Sequence, residues 1–263
     1  MELLGKVFVR CDIHLLTGLR VAGSSTGMKI GGIDQPVITD AFGRPYIPGS
    51  SLKGKMRSLI EKKEGKVTSS GKVHFCLNDE DYQKCPICKF WGISPTEGGM
   101  SITLPTLTRL IVRDTNLLEE SITPEMKRNM EMEFTEIKME TAIDRVKGSA
   151  LHYSLRTMDR VPAGAIFSPV EIIINIFEKE DLGLMVKVFE AMGLIEWDYL
   201  GGMGSRGYGK ISFGNIQVYI NNKNDYETGN IDPSEKEPVG RYDKISQLIK
   251  NYPQLKKTIE EKI

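Results

Sequence analysis

Residues 7–15 alternate: Val7, Val9, Cys11, Ile13 and Leu15 share one face, and Arg10, Asp12 and His14 lie on the other. A period of two marks a half-buried strand. Residues 17–49 carry many Gly and Pro without periodicity, which predicts a long loop; loops beyond ~12–15 residues in a compact domain are usually functional or disordered. Pro48-Gly49 closes it, Ser50 or Ser51 offers an N-cap, and Leu52, Met56, Leu59 and Ile60 follow at helical spacing. After a Gly/Ser-containing stretch and a Cys/His cluster ending near residue 90, residues 103–113 suggest a second strand. A short helix is expected from Thr123, with Pro124 at its first position.

Residues 140–163 suggest a long hairpin turning at Lys147-Gly148-Ser149. The Ile172-Ile173-Ile174 run suits a buried strand, and Leu182, Met185, Val186 and Phe189 line one face of the helix after it. A glycine-rich turn at 201–209 leads into a last strand at 210–220. Residues 221–240, with Pro233, Pro238 and Gly240, are expected as a linker, and residues 241–263 as a terminal helix that Pro253 interrupts. Without insertions the order is strand, helix, strand, strand, helix, strand. This predicts an α+β fold with a ferredoxin-like core over 1–220, the arrangement of RNA-recognition modules. The expected insertions are a metal-binding one at 64–98 and a helical and hairpin one at 114–164.

The composition of the 263-residue chain, 40% hydrophobic and 27% charged, is that of a globular protein with a sizeable core. No apolar run approaches the ~20 residues of a membrane span. The first six residues lack a signal-peptide pattern, so a cytoplasmic protein is expected. Thirty-five basic residues balance 35 acidic ones, which excludes a globally basic nucleic-acid coat. Residues 1–63 nevertheless hold ten basic against five acidic side chains. Such asymmetry suits a polyanion ligand or a copy-to-copy contact, and it also arises by chance.

His74, Cys76, Cys85 and Cys88 gather three of the four cysteines and one of three histidines within fifteen positions. The Cys-x-x-Cys knuckle has metal-ligand spacing, and a Cys₃His set fills a tetrahedral structural zinc shell. A redox dithiol or simply buried cysteines are the competing readings. The segment reads as short of apolar residues, so metal is expected to supply its folding free energy. Cys11, on the apolar strand face, belongs to the core.

At the helix entry, Ser50, Ser51, Lys53, Lys55 and Arg57 set hydroxyls and cations where unpaired N–H groups favour phosphate; the competing reading, an ordinary capped surface helix, explains the serines but not the basic cluster. The run Gly201-Gly202-Met203-Gly204-Ser205-Arg206-Gly207-Tyr208-Gly209 contains a literal G-x-G-x-x-G. It follows a helix and opens a strand, the reverse of a dinucleotide fingerprint. Its glycines imply close approach of backbone or ligand. The loop before the helix carries Arg20, Lys29 and Asp34. Asp34, in Gly31-Gly32-Ile33-Asp34-Gln35-Pro36, is either a turn former or a carboxylate for metal-assisted phosphodiester chemistry, orienting Mg²⁺ or activating a ribose 2′-hydroxyl. His14 and His152 stand isolated, and no catalytic triad emerges.

These motifs, in this order, resemble the RAMP superfamily of CRISPR-associated proteins. The segments 32–38 and 46–48, the His/Cys insertion, Ile143-Asp144-Arg145 and 160–164 narrow the resemblance to the backbone-subunit family of type III-A CRISPR (Csm) effector complexes, over residues 5–220. The resemblance implies copies aligned along a CRISPR RNA (crRNA), each holding six nucleotides, together with other Csm subunits. It implies that the 140–163 hairpin displaces one nucleotide of the guide–target duplex per copy. It also implies that Asp34, with Mg²⁺ or another divalent cation, cuts the complementary target RNA opposite each displaced nucleotide. Guide contacts are implied at Ser50, Ser51, Lys53 and Arg57, with Gly202, Gly204, Ser205, Arg206 and Gly207 lining the same surface. Lys147 and His152 depart from the residues usual in the family. A guide-binding subunit that does not cut, and a free-standing zinc RNA-binding protein, are the alternatives.

Overall fold

In the computed structural model, residues 2–23, 36–68, 70–93 and 101–263 are described. The elements run β1 (Gly5–Leu15), β2 (Tyr46–Ile47), α1 (Gly49–Lys63), α2 (Asp79–Lys84), α3 (Pro86–Trp91), β3 (Leu110–Val112), β4 (Thr115–Asn116) and α4 (Pro124–Arg128). There follow β5 (Glu136–Glu140), β6 (Arg156–Arg160), β7 (Ile166–Ile176), α5 (Lys179–Leu184) and α6 (Val186–Trp197). The last are β8 (Ile211–Asn222), α7 (Lys223–Thr228), β9 (Gly240–Tyr242) and α8 (Ile245–Glu260).

The alternation in β1 does what its period requires. Val7, Val9, Cys11, Ile13 and Leu15 are buried, and β1 pairs antiparallel with β7 and β8, Val7 facing both Ile174 and Ile220. The sheet order is β3-β7-β1-β8-β9, with β1 at the centre. Apolar faces of α1 (Leu52, Met56, Ile60), α6 (Val188, Phe189, Met192) and α8 (Leu248, Tyr252, Leu255) join the inner sheet residues in one core. Ile173 points the other way, into a small cluster with Phe8 and Tyr219, which is why the isoleucine run is buried on both faces. The result is a mixed α/β fold. No helix among the described residues is long and apolar enough to cross a membrane.

Several expectations are corrected. Pro48, not Ser50 or Ser51, occupies the N-cap of α1, and neither serine side chain caps it. The Gly49 N–H donates instead to Asp114 Oδ1 at 2.7 Å. A Cβ on Gly49 would lie 2.1 Å from the Val112 carbonyl oxygen, so the close crossing there needs glycine. Of the strand expected over 103–113 only Leu110–Val112 pairs, because Asp79 draws Thr103 and Leu104 away by accepting their N–H groups at 2.9 and 3.1 Å.

The hairpin exists, but its ladder joins Glu136–Glu140 to Arg156–Arg160, so its root lies earlier in the chain. Residues 221–240 carry the end of β8, α7 and a 3₁₀ turn rather than a plain linker. Asn222 caps α7 by accepting the Asp225 N–H, and Lys236 ties the segment back to Asp225 at 2.8 Å. Helix α8 runs through Pro253, since Tyr252, Leu255 and Ile259 on one face are held in the core. The Cys/His insertion is also less polar than expected: Tyr82, Ile87, Phe90 and Trp91 are buried in the main core. Its seam is closed by the fully buried Arg109–Asp181 pair at 2.7 Å, with Arg109 also donating to Tyr82 Oη.

Candidate RNA interface and metal centre

His74, Cys76, Cys85 and Cys88 converge. One ligand atom from each lies within 4.8 Å of all the others. Cys85 stands at the N-cap of α3 and Cys88 one turn inside it, so the Cys-x-x-Cys spacing brings both sulfurs to one end. His74 Nε2 lies 3.4 Å from Cys85 Sγ and 3.8 Å from Cys76 Sγ. A tetrahedral zinc with its usual bond lengths needs sulfur–nitrogen edges of about 3.5 Å and sulfur–sulfur edges of about 3.8 Å. All four cysteines of the chain are free thiols. Hydrogen bonding from Cys88, with His74 beside it, holds the Cys85 thiol down at about 3, and the same bond together with burial pushes Cys88 far up. The donor set and its spacing can hold a metal such as zinc.

Helix α1 is adjacent to this centre, and that changes the roles of its cations. Lys53 Nζ donates to the Leu110 carbonyl at 2.8 Å, and burial, with the nearby Arg57 charge, lowers its pKa. Arg57 donates to Glu61 and to the carbonyls of Gly92 and His74. Both heads are hydrogen-bonded to protein oxygens. Lys55 lies on the opposite side, 3.0 Å from Asp198 and 3.4 Å from the centroid of the Tyr199 ring. Ser50 is exposed and Ser51 half-buried.

The glycine run packs against what lies beneath it. A Cβ on Gly204 would meet the Tyr199 ring at 1.9 Å, and one on Gly201, with φ +75, would lie 2.3 Å from the Arg20 carbonyl oxygen. The Gly202 N–H donates to that carbonyl at 2.9 Å. Ser205, Arg206 and Gly207 are exposed, and Gly202 and Gly204 half-exposed. Arg206 pairs with Glu140 of the hairpin at 3.3 Å. Arg20 is 4% exposed and lies beneath the run, with its side chain largely withdrawn from the surface.

Asp34 and Lys29 lie outside the described residues; the stem of their loop does not. The Gly23 N–H donates to the Pro36 carbonyl and the Ile38 N–H to that of Val21, both at 2.9 Å. The Val37 N–H donates to the buried Asp159 carboxylate at 2.8 Å. Arg20 thus joins this stem to the glycine run, and Tyr199 joins the glycine run to α1.

Tyr199, Tyr208 and Asp159 were not singled out from sequence. Tyr208 is flanked by Lys138 and Arg160, whose charged groups lie 4.4 and 5.0 Å from its ring centroid, and its hydroxyl donates to Glu140 at 3.0 Å. Burial and Glu140 push the Tyr208 hydroxyl up to about 12. Aromatics bracketing a glycine run were a usable signal; the buried partner of Val37, 122 residues away, was not.

Residues 2–212 match the RAMP superfamily. A curated relative from Methanocaldococcus jannaschii, named CRISPR system Cms endoribonuclease Csm3, is 41% identical over 91% of each chain. Another of that name, from Methanothermobacter thermautotrophicus, is 37% identical over 79% of this chain and 83% of its own. Among solved structures, a Csm3–Csm4 subcomplex of the type III-A CRISPR-Cas interference complex aligns at 32% identity with a TM-score of 0.59, covering 97% of this chain and 98% of that one. The chain belongs to the RAMP superfamily and, within it, to the Csm3 family.

Proposed function

We propose that this chain is the crRNA-binding backbone subunit of a type III-A CRISPR interference complex and the endoribonuclease that cuts complementary target RNA in it. The observation that carries this reading is the junction of the Asp34-loop stem, the glycine run and α1 through Arg20 and Tyr199. The relatives are named endoribonucleases, which favours cutting over a purely architectural role. Its partners are crRNA, target RNA, further copies of the chain and other Csm subunits, in the cytoplasm. The sheet is read as a ferredoxin-like core, a reading supported by the order β3-β7-β1-β8.

In this proposal Ser50, Ser51, Lys29 and the exposed edge formed by Gly202, Gly204, Ser205, Arg206 and Gly207 contact the guide backbone, while Lys55, paired with Asp198 and seated on the Tyr199 ring, holds α1 against the glycine run. Lys53 and Arg57 hold α1 in place for them, and Arg20 holds the glycine run. The hairpin displaces one nucleotide, which frees a ribose 2′-hydroxyl to approach the adjacent phosphorus in line; positioning of that kind supplies much of the rate. Asp34 is the catalytic carboxylate, and a bound Mg²⁺ or other divalent cation would stabilise developing phosphate charge. His74, Cys76, Cys85 and Cys88 would hold a structural Zn²⁺ with no open position. Purification of the native complex and sequencing of its bound RNA is the test. Short RNAs with repeat-derived 5′ tags and six-nucleotide length steps are expected; random cellular RNA would contradict the reading.

A further inference from the structure

One turn of α1 grips both backbone polar groups of a proposed metal ligand. Arg57 Nη2 donates to the His74 carbonyl at 2.5 Å, and the His74 N–H donates to Glu61 Oε1 at 3.2 Å. The same Glu61 oxygen accepts from Arg57 Nε at 2.8 Å, so the pair closes on itself. Arg57 Nη1 then reaches the Gly92 carbonyl at 3.0 Å, immediately past α3, the helix that carries Cys88. The guanidinium therefore spans both halves of the ligand set. Both side chains are largely withdrawn from water, at 17% and 11% exposure, so these charge-assisted bonds are poorly screened.

We propose that Arg57 and Glu61 are positioning residues for the metal centre, fixing His74 in ligating register so that α1 sets how long the metal stays bound. This rests on the zinc reading above. The physical basis is preorganisation: a ligand whose backbone is already held loses less freedom when it captures the ion, and partners just outside the ligand shell typically change metal affinity by about 10–100-fold. An ordinary tertiary contact would stabilise the fold equally with and without metal. A latch on His74 changes metal release itself.

The test is Zn²⁺ release from the full-length, Zn²⁺-loaded chain to a chromogenic chelator, with the Co²⁺ d–d spectrum recording ligand geometry. Arg57→Met is expected to release zinc about tenfold faster or more. Glu61→Gln should fall between it and the parent, because the amide oxygen still accepts from His74 while its pull on Arg57 weakens. Lys63→Met, which removes a cation from the same helix paired with Glu190 rather than with the metal centre, should release at the parental rate. If Arg57→Met does not fold, Arg57→Lys replaces it, with a smaller acceleration expected. Parental release rates from the Arg57 and Glu61 variants would overturn the latch while leaving the zinc site intact. A parental chain that binds no zinc would overturn both.

Discussion

Gly204 lies against the ring of Tyr199 so closely that a methyl group on the glycine would sit 1.9 Å from the ring carbon Cγ. The same ring carries the Lys55 ammonium, 3.4 Å from its centroid. Any side chain at 204 must push Tyr199 aside, and with it the contact that joins the glycine run to α1. Gly204→Ala is expected to cost about 1–3 kcal/mol, as overpacking does, and to weaken guide-RNA binding. Gly54, on the exposed side of α1, has open space at its Cβ position, so Gly54→Ala should stabilise the fold by about 0.5–1 kcal/mol. Denaturant midpoints of the two variants, of opposite sign relative to the parent, check the pair.

The commitments of Lys53 and Arg57 lead to a second expectation. Removing one cation that neutralises a phosphate lowers the dependence of log K on log salt by about 0.9 on double-stranded and about 0.7 on single-stranded nucleic acid. Lys53→Met with Arg57→Met should leave that slope at the parental value, because neither head faces solvent as a free charge. Arg206→Met removes a cation whose side chain is 53% exposed and should lower the slope by roughly 0.7–1. Filter binding over a salt series separates the two, and a flattened slope in the double variant would restore direct phosphate contact by Lys53 and Arg57.

Acid stability provides a third. Lys63 and Lys187 bracket Glu190 between α1 and α6. Partial burial opposes ionisation of Glu190, but hydrogen bonds and charge from the two lysines outweigh it, and its pKa falls below the usual glutamate value. A carboxylate depressed in the folded state contributes stability above its unfolded pKa, and that contribution disappears as pH falls through the folded pKa. Glu190→Gln should therefore cost about 0.5–1 kcal/mol at neutral pH, allowing for solvent screening. The gap should close below about pH 4. Urea midpoints across that range measure it.

Much of this was legible from residue order, and the limits have a common cause. The strand at 7–15, helix α1 and the Cys/His cluster are local patterns, and each matches the structure. What the cations of α1 bind was not legible, because their partners are backbone carbonyls 17, 35 and 57 residues away, and a carbonyl leaves no mark in a sequence. Serine at the start of a helix likewise suggests a cap, while the Gly49 N–H takes the distant Asp114. Pro253 has the look of a breaker because local propensity disfavours it; burial of Tyr252 and Leu255 on either side prevails. Asp34 is singled out by its loop and by the family resemblance, and what the fold contributes is the anchored stem beside the glycine run.

The role given to Asp34 is tested by reconstituting the complex around Asp34→Ala and incubating it with complementary single-stranded RNA and a divalent cation. Expected are an intact assembly with guide bound, parental affinity for target, and loss of the six-nucleotide product ladder that the parent gives. A ladder undiminished in the variant would remove Asp34 from the chemistry, and with it the proposed cutting site.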